Sequence, residues 1–101
     1  MKHGLPDSAV DKINSVFAKH KNIKQAILYG SRAKGTDKTG SDIDLTLDGD
    51  IEFQELLQVS SELDDLLLPW MIDLSIYSNI GNENLKDHIK RVGKVLYKKI
   101  L

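Results

Sequence analysis

Between Asp42 and Leu47 the chain alternates strictly: Asp, Ile, Asp, Leu, Thr, Leu. A period of two sends neighbouring side chains to opposite faces, so this run reads as a half-buried strand. Ile43, Leu45 and Leu47 face inward, and Asp42, Asp44 and Thr46 share the wet face. Lys24 to Tyr29 reads as a shorter strand that ends at Gly30. Trp70 to Tyr77 reads as a third strand, with Trp70, Ile72, Leu74 and Ile76 on one side and Met71, Asp73, Ser75 and Tyr77 on the other. Val95-Leu96-Tyr97 marks a final short strand.

The remaining apolar positions follow a helical period. Val10, Ile13, Val16 and Phe17 form one stripe behind a start at Pro6-Asp7-Ser8, where Asp or Ser can cap free N–H groups, and this helix fades near His20. Asp48-Gly49-Asp50 breaks the alternating strand and is expected to cap the next helix. That helix carries a broad apolar face from Ile51 through Leu68 and is stopped by Pro69. Leu85, Ile89 and Val92 define a last short helix closed by Gly93. Gly35 to Ser41 is almost devoid of apolar residues and reads as a loop.

This order constrains the topology. The first two strands are joined by a long polar loop and are expected to be antiparallel neighbours. The strand–helix–strand crossover that follows favours a parallel third strand. The expected fold is therefore α+β: one domain over residues 1–101, a mixed sheet of three or four strands, helices on the apolar face and Asp42, Asp44 and Asp73 on the other. With 101 residues there is room for one core. Composition narrows the field further. A net charge of −1 gives no drive toward nucleic acid, so no stable nucleic-acid binding is expected. The absence of cysteine rules out disulfides and thiolate zinc sites. No apolar run reaches the ~18 residues of a membrane span, and the N-terminus lacks a signal-peptide core, so a cytoplasmic protein is expected. Acidic side chains dominate from Asp48 to Asp65 and basic ones from Lys86 to Lys99, a pattern read first as two solvated faces. His3, His20 and His88 are scattered and read as surface residues.

Three carboxylates on one face repel one another unless a cation intervenes. Hard divalent ions take such oxygens together with substrate phosphates, and a pair of ions can serve both the attacking and the leaving oxygen of a phosphoryl transfer. Gly30-Ser31, ten residues before Asp42, supplies the complementary half. Glycine permits close backbone approach to a phosphate, and Ser31 offers a hydroxyl and an N–H, with a helix start adding its positive end. Arg32 and Lys34 lie within reach as counter-charges. Each feature alone is weak, since Asp-x-Asp is usually a solvated strand face and Gly-Ser is common. The specificity lies in their combination and spacing.

In that combination the sequence resembles the DNA polymerase beta-like nucleotidyltransferases. Their signature is Gly-Ser, about ten residues, Asp-x-Asp and a later Asp, here Gly30-Ser31, Asp42-Ile43-Asp44 and Asp73. Gly-Ser-Arg-Ala-Lys-Gly followed by Ser-Asp-Ile-Asp-Leu is similar to the minimal nucleotidyltransferases, although Lys34 stands where many members carry Arg. The resemblance implies transfer of a nucleoside monophosphate, AMP from ATP foremost, to an acceptor hydroxyl. It implies Mg²⁺ as cofactor, two ions, with Mn²⁺ as the alternative. Gly30, Ser31, Arg32 and Lys34 would bind nucleotide. Asp42, Asp44 and Asp73 would be catalytic and bind metal. It also implies a helical partner of the HEPN class, a ribonuclease toxin neutralised by adenylylation of a tyrosine. With little of the given sequence after Asp73 for an acceptor pocket, the acceptor is expected to be held by a second copy or another protein. Two other readings remain at this point: a transferase acting on a small molecule such as an aminoglycoside, and an antitoxin that works by contact alone.

Overall fold

The computed structural model describes residues 3–36 and 40–100. The part of the expected loop at residues 37–39 therefore lies outside the described residues. The elements are α1 (Asp7–Ala18), β1 (Ile23–Tyr29), α2 (Gly30–Lys34), β2 (Ile43–Gly49), α3 (Phe53–Asp64), β3 (Ile72–Ile76), a 3₁₀ turn (Tyr77–Asn79), α4 (Glu83–Val92) and β4 (Lys94–Lys98).

Four strands form one mixed sheet in the order β3-β2-β1-β4. β1 runs antiparallel to both β2 and β4, and β2 runs parallel to β3. The connections explain these directions. A polar loop turns β1 back into β2, whereas α3 carries the chain back to the start of β3. Ile43, Leu45 and Leu47 of β2 and Ala26 and Leu28 of β1 are fully buried, against the α1 stripe of Val10, Ile13, Val16 and Phe17 and against Val59 and Leu63 of α3. The apolar face is thus the one the alternation marks, and removing these side chains from water is the main stabilising contribution.

Four boundaries differ from the sequence expectation. Helix α1 has Pro6 at its N-cap, with no side-chain cap, and Asp7 in its first turn. Helix α3 likewise has Glu52 at its N-cap without a side-chain hydrogen bond, and it ends at Asp64 rather than Leu68. Leu67 is left-handed (φ 56°) and exposed, so the chain leaves the helix before Pro69 could end it. Strand β3 begins only at Ile72, and Trp70 ahead of it lies under the Arg32 guanidinium, 5.7 Å from the ring centre.

Helix α4 starts at Asn82, whose side chain accepts the Leu85 N–H at 3.1 Å. It ends at Gly93, where an added Cβ would strike the Ile89 carbonyl and come within 2.8 Å of Ile27 Cγ2. Ile27 alternates with buried Ala26 and Leu28, so α4 rests over part of the carboxylate-bearing face, beside β1. The sequence reading placed Thr46 on a wet face. Instead Thr46, between Ile27 and Ser75 in the register, is fully buried, and its hydroxyl has no hydrogen-bond partner.

Candidate active site

The β2–β3 register places Asp44 directly beside Asp73, and the β1–β2 register places Tyr29 on the other side of Asp44. One row across three strands therefore reads Tyr29, Asp44, Asp73. Asp42 lies exposed just ahead of β2, close enough to act on the Asp44 charge. Burial raises the Asp44 carboxyl above the ordinary carboxylate range, and Asp73 and Asp42 add to the rise, while His88 opposes it. Tyr29 is also raised, first by burial; the Ser75 hydroxyl works against that shift, and Asp44 and Asp73 reinforce it.

Gly30 follows Tyr29 and opens α2. Its φ of 77° favours glycine, and a Cβ there would collide with the Asp44 Oδ2 atom. The turn and the carboxylate are thus packed together, which only glycine permits. Ser31 is half-buried, and its carbonyl accepts the Thr36 N–H at 2.9 Å. Lys34 is exposed.

Arg32 sits differently from the expected phosphate counter-charge. It is buried, with Nε and Nη2 donating to the Ser41 carbonyl at 3.2 and 2.7 Å and Nη1 to the His3 carbonyl at 3.0 Å. Those bonds fasten the far end of the loop to α2. Two histidines also depart from the surface reading. His20 is buried, with Nδ1 3.1 Å from Glu55 Oε2 and Nε2 3.1 Å from Glu62 Oε2. His88 Nε2 accepts the Gly30 N–H at 3.1 Å, and its ring meets Tyr29 edge-on at 6.3 Å. Tyr29 and His88 are the site neighbours that motif reasoning missed, whereas alternation within β3 sets Ser75 on the Asp73 face. Alternation within β1 could have placed Tyr29 there; no local signal marks His88.

A cavity of about 500 Å³ lies at the other end of the sheet, lined by Lys21, Lys24, Lys98 and Lys99 among others, and does not reach the acidic row. Among the described residues no three carboxylate or imidazole groups converge into a ready metal cage. The donor chemistry still fits a hard divalent ion. Adjacent, mutually repelling carboxylates are the ligands Mg²⁺ takes when phosphate oxygens complete its shell.

The family model described as "Polymerase beta, Nucleotidyltransferase" matches residues 11–100. The chain belongs to that family. Its fold generally works with divalent metals. Among solved structures, a toxin–antitoxin complex with AMP-PNP is similar at a TM-score of 0.70 and 19% identity, covering 95% of this chain and 76% of that one. The MntA–HepT toxin–antitoxin complex is similar at 0.68 and 16%, covering 93% and 74%. A Shewanella oneidensis complex of a tri-AMPylated HEPN toxin with its MNT antitoxin is similar at 0.67 and 17%, covering 92% and 72%. No curated protein sequence matches the chain. This nucleotidyltransferase has no helix, among its described residues, long and apolar enough to cross a membrane.

Proposed function

We propose that this nucleotidyltransferase moves AMP from ATP to a hydroxyl of a partner protein, with Mg²⁺ as cofactor. The acceptor is a tyrosine of a HEPN-class toxin, which the chain thereby neutralises in the cytoplasm. The observation that carries the reading is the side-by-side placement of Asp44 and Asp73 on parallel strands, with Gly30 wedged against Asp44. The solved neighbours support the choice of AMP and partner, since one is described with AMP-PNP and another with an AMPylated HEPN toxin.

In this reading Gly30, Ser31 and Lys34 hold the triphosphate. Glycine allows the approach, Ser31 offers its hydroxyl, and exposed Lys34 contributes charge. Arg32 acts behind them by tying Ser41 to α2. Asp42, Asp44 and Asp73 would hold Mg²⁺, which supplies charge neutralisation at the phosphates. Asp73, exposed at the edge strand, faces the acceptor and takes its proton. The acceptor oxygen bonds to the α-phosphorus, the bond to the bridging oxygen breaks, and pyrophosphate leaves. Met71 lies two residues before Asp73 and is 75% exposed, and Leu67, in the α3–β3 connection, is 88% exposed. Apolar side chains held in solvent just ahead of β3 are what a protein acceptor would cover.

The test combines labelled ATP, Mg²⁺, this protein and its helical partner. The expected result is covalent label on a partner tyrosine. Label on a small hydroxylated compound alone would move the reading to a small-molecule transferase. Neutralisation that survives Asp42→Asn with Asp44→Asn, without label, would mean that contact suffices.

A further inference from the structure

The Gly30 N–H is already taken. It points at His88 Nε2, 58 residues away in sequence, at 3.1 Å. A backbone N–H can only donate, so Nε2 is the acceptor in this bond. His88 is delivered by α4, whose start is fixed by the Asn82 cap and whose end is pressed against Ile27 at Gly93. The ring meets the Tyr29 ring edge-on at 6.3 Å. The bond therefore ties α4 to the one glycine that touches the Asp44 carboxylate.

We propose that His88 is a positioning residue for the nucleotide. By accepting the Gly30 N–H it fixes the left-handed turn, keeps Gly30 seated against Asp44 and presents Ser31 to the phosphates. It also withdraws the Gly30 N–H from phosphate binding, so that the anion contacts at the turn fall to Ser31. The proposal rests on the nucleotidyltransferase reading above. The rival role is simple packing of α4 on the sheet, which requires bulk but no acceptor atom.

Two variants separate these roles. His88→Gln keeps an acceptor oxygen, and His88→Leu keeps comparable bulk without one. Losing one neutral hydrogen bond is worth roughly a fivefold to tenfold change. His88→Leu is therefore expected to raise KM for ATP roughly fivefold to tenfold with kcat little changed, and His88→Gln to recover most of the loss. Equal KM values for the Leu and Gln variants, or a wild-type KM in His88→Leu, would overturn the proposal. An independent readout is the Gly30 amide in the wild-type protein by NMR. A downfield Gly30 proton coupled across the hydrogen bond to His88 Nε2 is expected, and its absence overturns the proposal even if both variants fail to fold. If that coupling is present but the wild-type protein binds no nucleotide, the nucleotidyltransferase reading fails and the proposed role for His88 falls with it.

Discussion

Two groups of carboxylates in this molecule meet histidines in different ways. Near the C-terminal end of α1, Glu55 and Glu62 converge on one buried imidazole, one on each ring nitrogen. Each ring nitrogen thus has a carboxylate within hydrogen-bond reach. On the sheet's other face, Asp44 stands beside Asp73 and near Asp42, and His88 turns its Nε2 toward Gly30 instead. There the repulsion is only tempered, and Asp44 is held above the ordinary carboxylate range by burial and by its acidic neighbours. Similar side chains thus give a structural clamp in one place and a mutually repelling acidic cluster in the other. What differs is whether the fold brings a donor to each carboxylate.

The strongest way to test that contrast is Asp44→Asn, which should cut AMP transfer by about a thousandfold or more in a steady-state assay while the protein stays folded. Next in size is His20→Leu. It removes the imidazole between Glu55 and Glu62, leaving Glu55 with the Asn22 amide as donor, and should cost about 1–3 kcal/mol in urea unfolding, with little effect on KM for ATP. Gly30→Ala forces a left-handed alanine and pushes a methyl group into the Asp44 carboxylate. It should cost about 1–2 kcal/mol and weaken nucleotide binding, as calorimetric titration would show.

The smallest effect concerns the stability of Asp44→Asn itself. The Asp44 carboxyl is raised in the folded chain, so folding binds its proton more tightly than the unfolded chain does. The stabilisation this brings is fully present below the unfolded value and is lost as pH rises through the raised one. At neutral pH the ionised group is therefore a liability, and the Asn variant should melt slightly higher than wild type. That advantage should vanish toward about pH 3.5 in scanning calorimetry.

Most of the site-bearing scaffold could be read from local pattern. The alternation of Asp42 to Leu47 identifies both faces of β2, and the crossover rule places β3 parallel to it, so Asp73 falls beside Asp44. What escaped sequence reading depends on tertiary contact. His20 finds Glu55 and Glu62 across 35 and 42 positions, and His88 finds Gly30 across 58. No spacing rule links such residues. Arg32 reads as a loop cation in sequence because nothing local shows that Ser41 and His3 turn their carbonyls inward to meet it. The end of α3 is hidden from sequence for a related reason. Leu66 to Leu68 continue the apolar pattern, yet the chain has to leave the helix to enter β3, and Leu67 is left exposed.

The central claim is that Asp44 and Asp73 form an uncompensated pair awaiting a cation and phosphates. Carboxyl-carbon NMR titration of Asp44, with and without Mg²⁺ and a non-hydrolysable ATP analogue, tests it directly. The account predicts titration above the ordinary carboxylate range in the free protein and a marked downward shift when both are added, with Glu55 and Glu62 unchanged. An Asp44 titration indifferent to Mg²⁺ and nucleotide would contradict it.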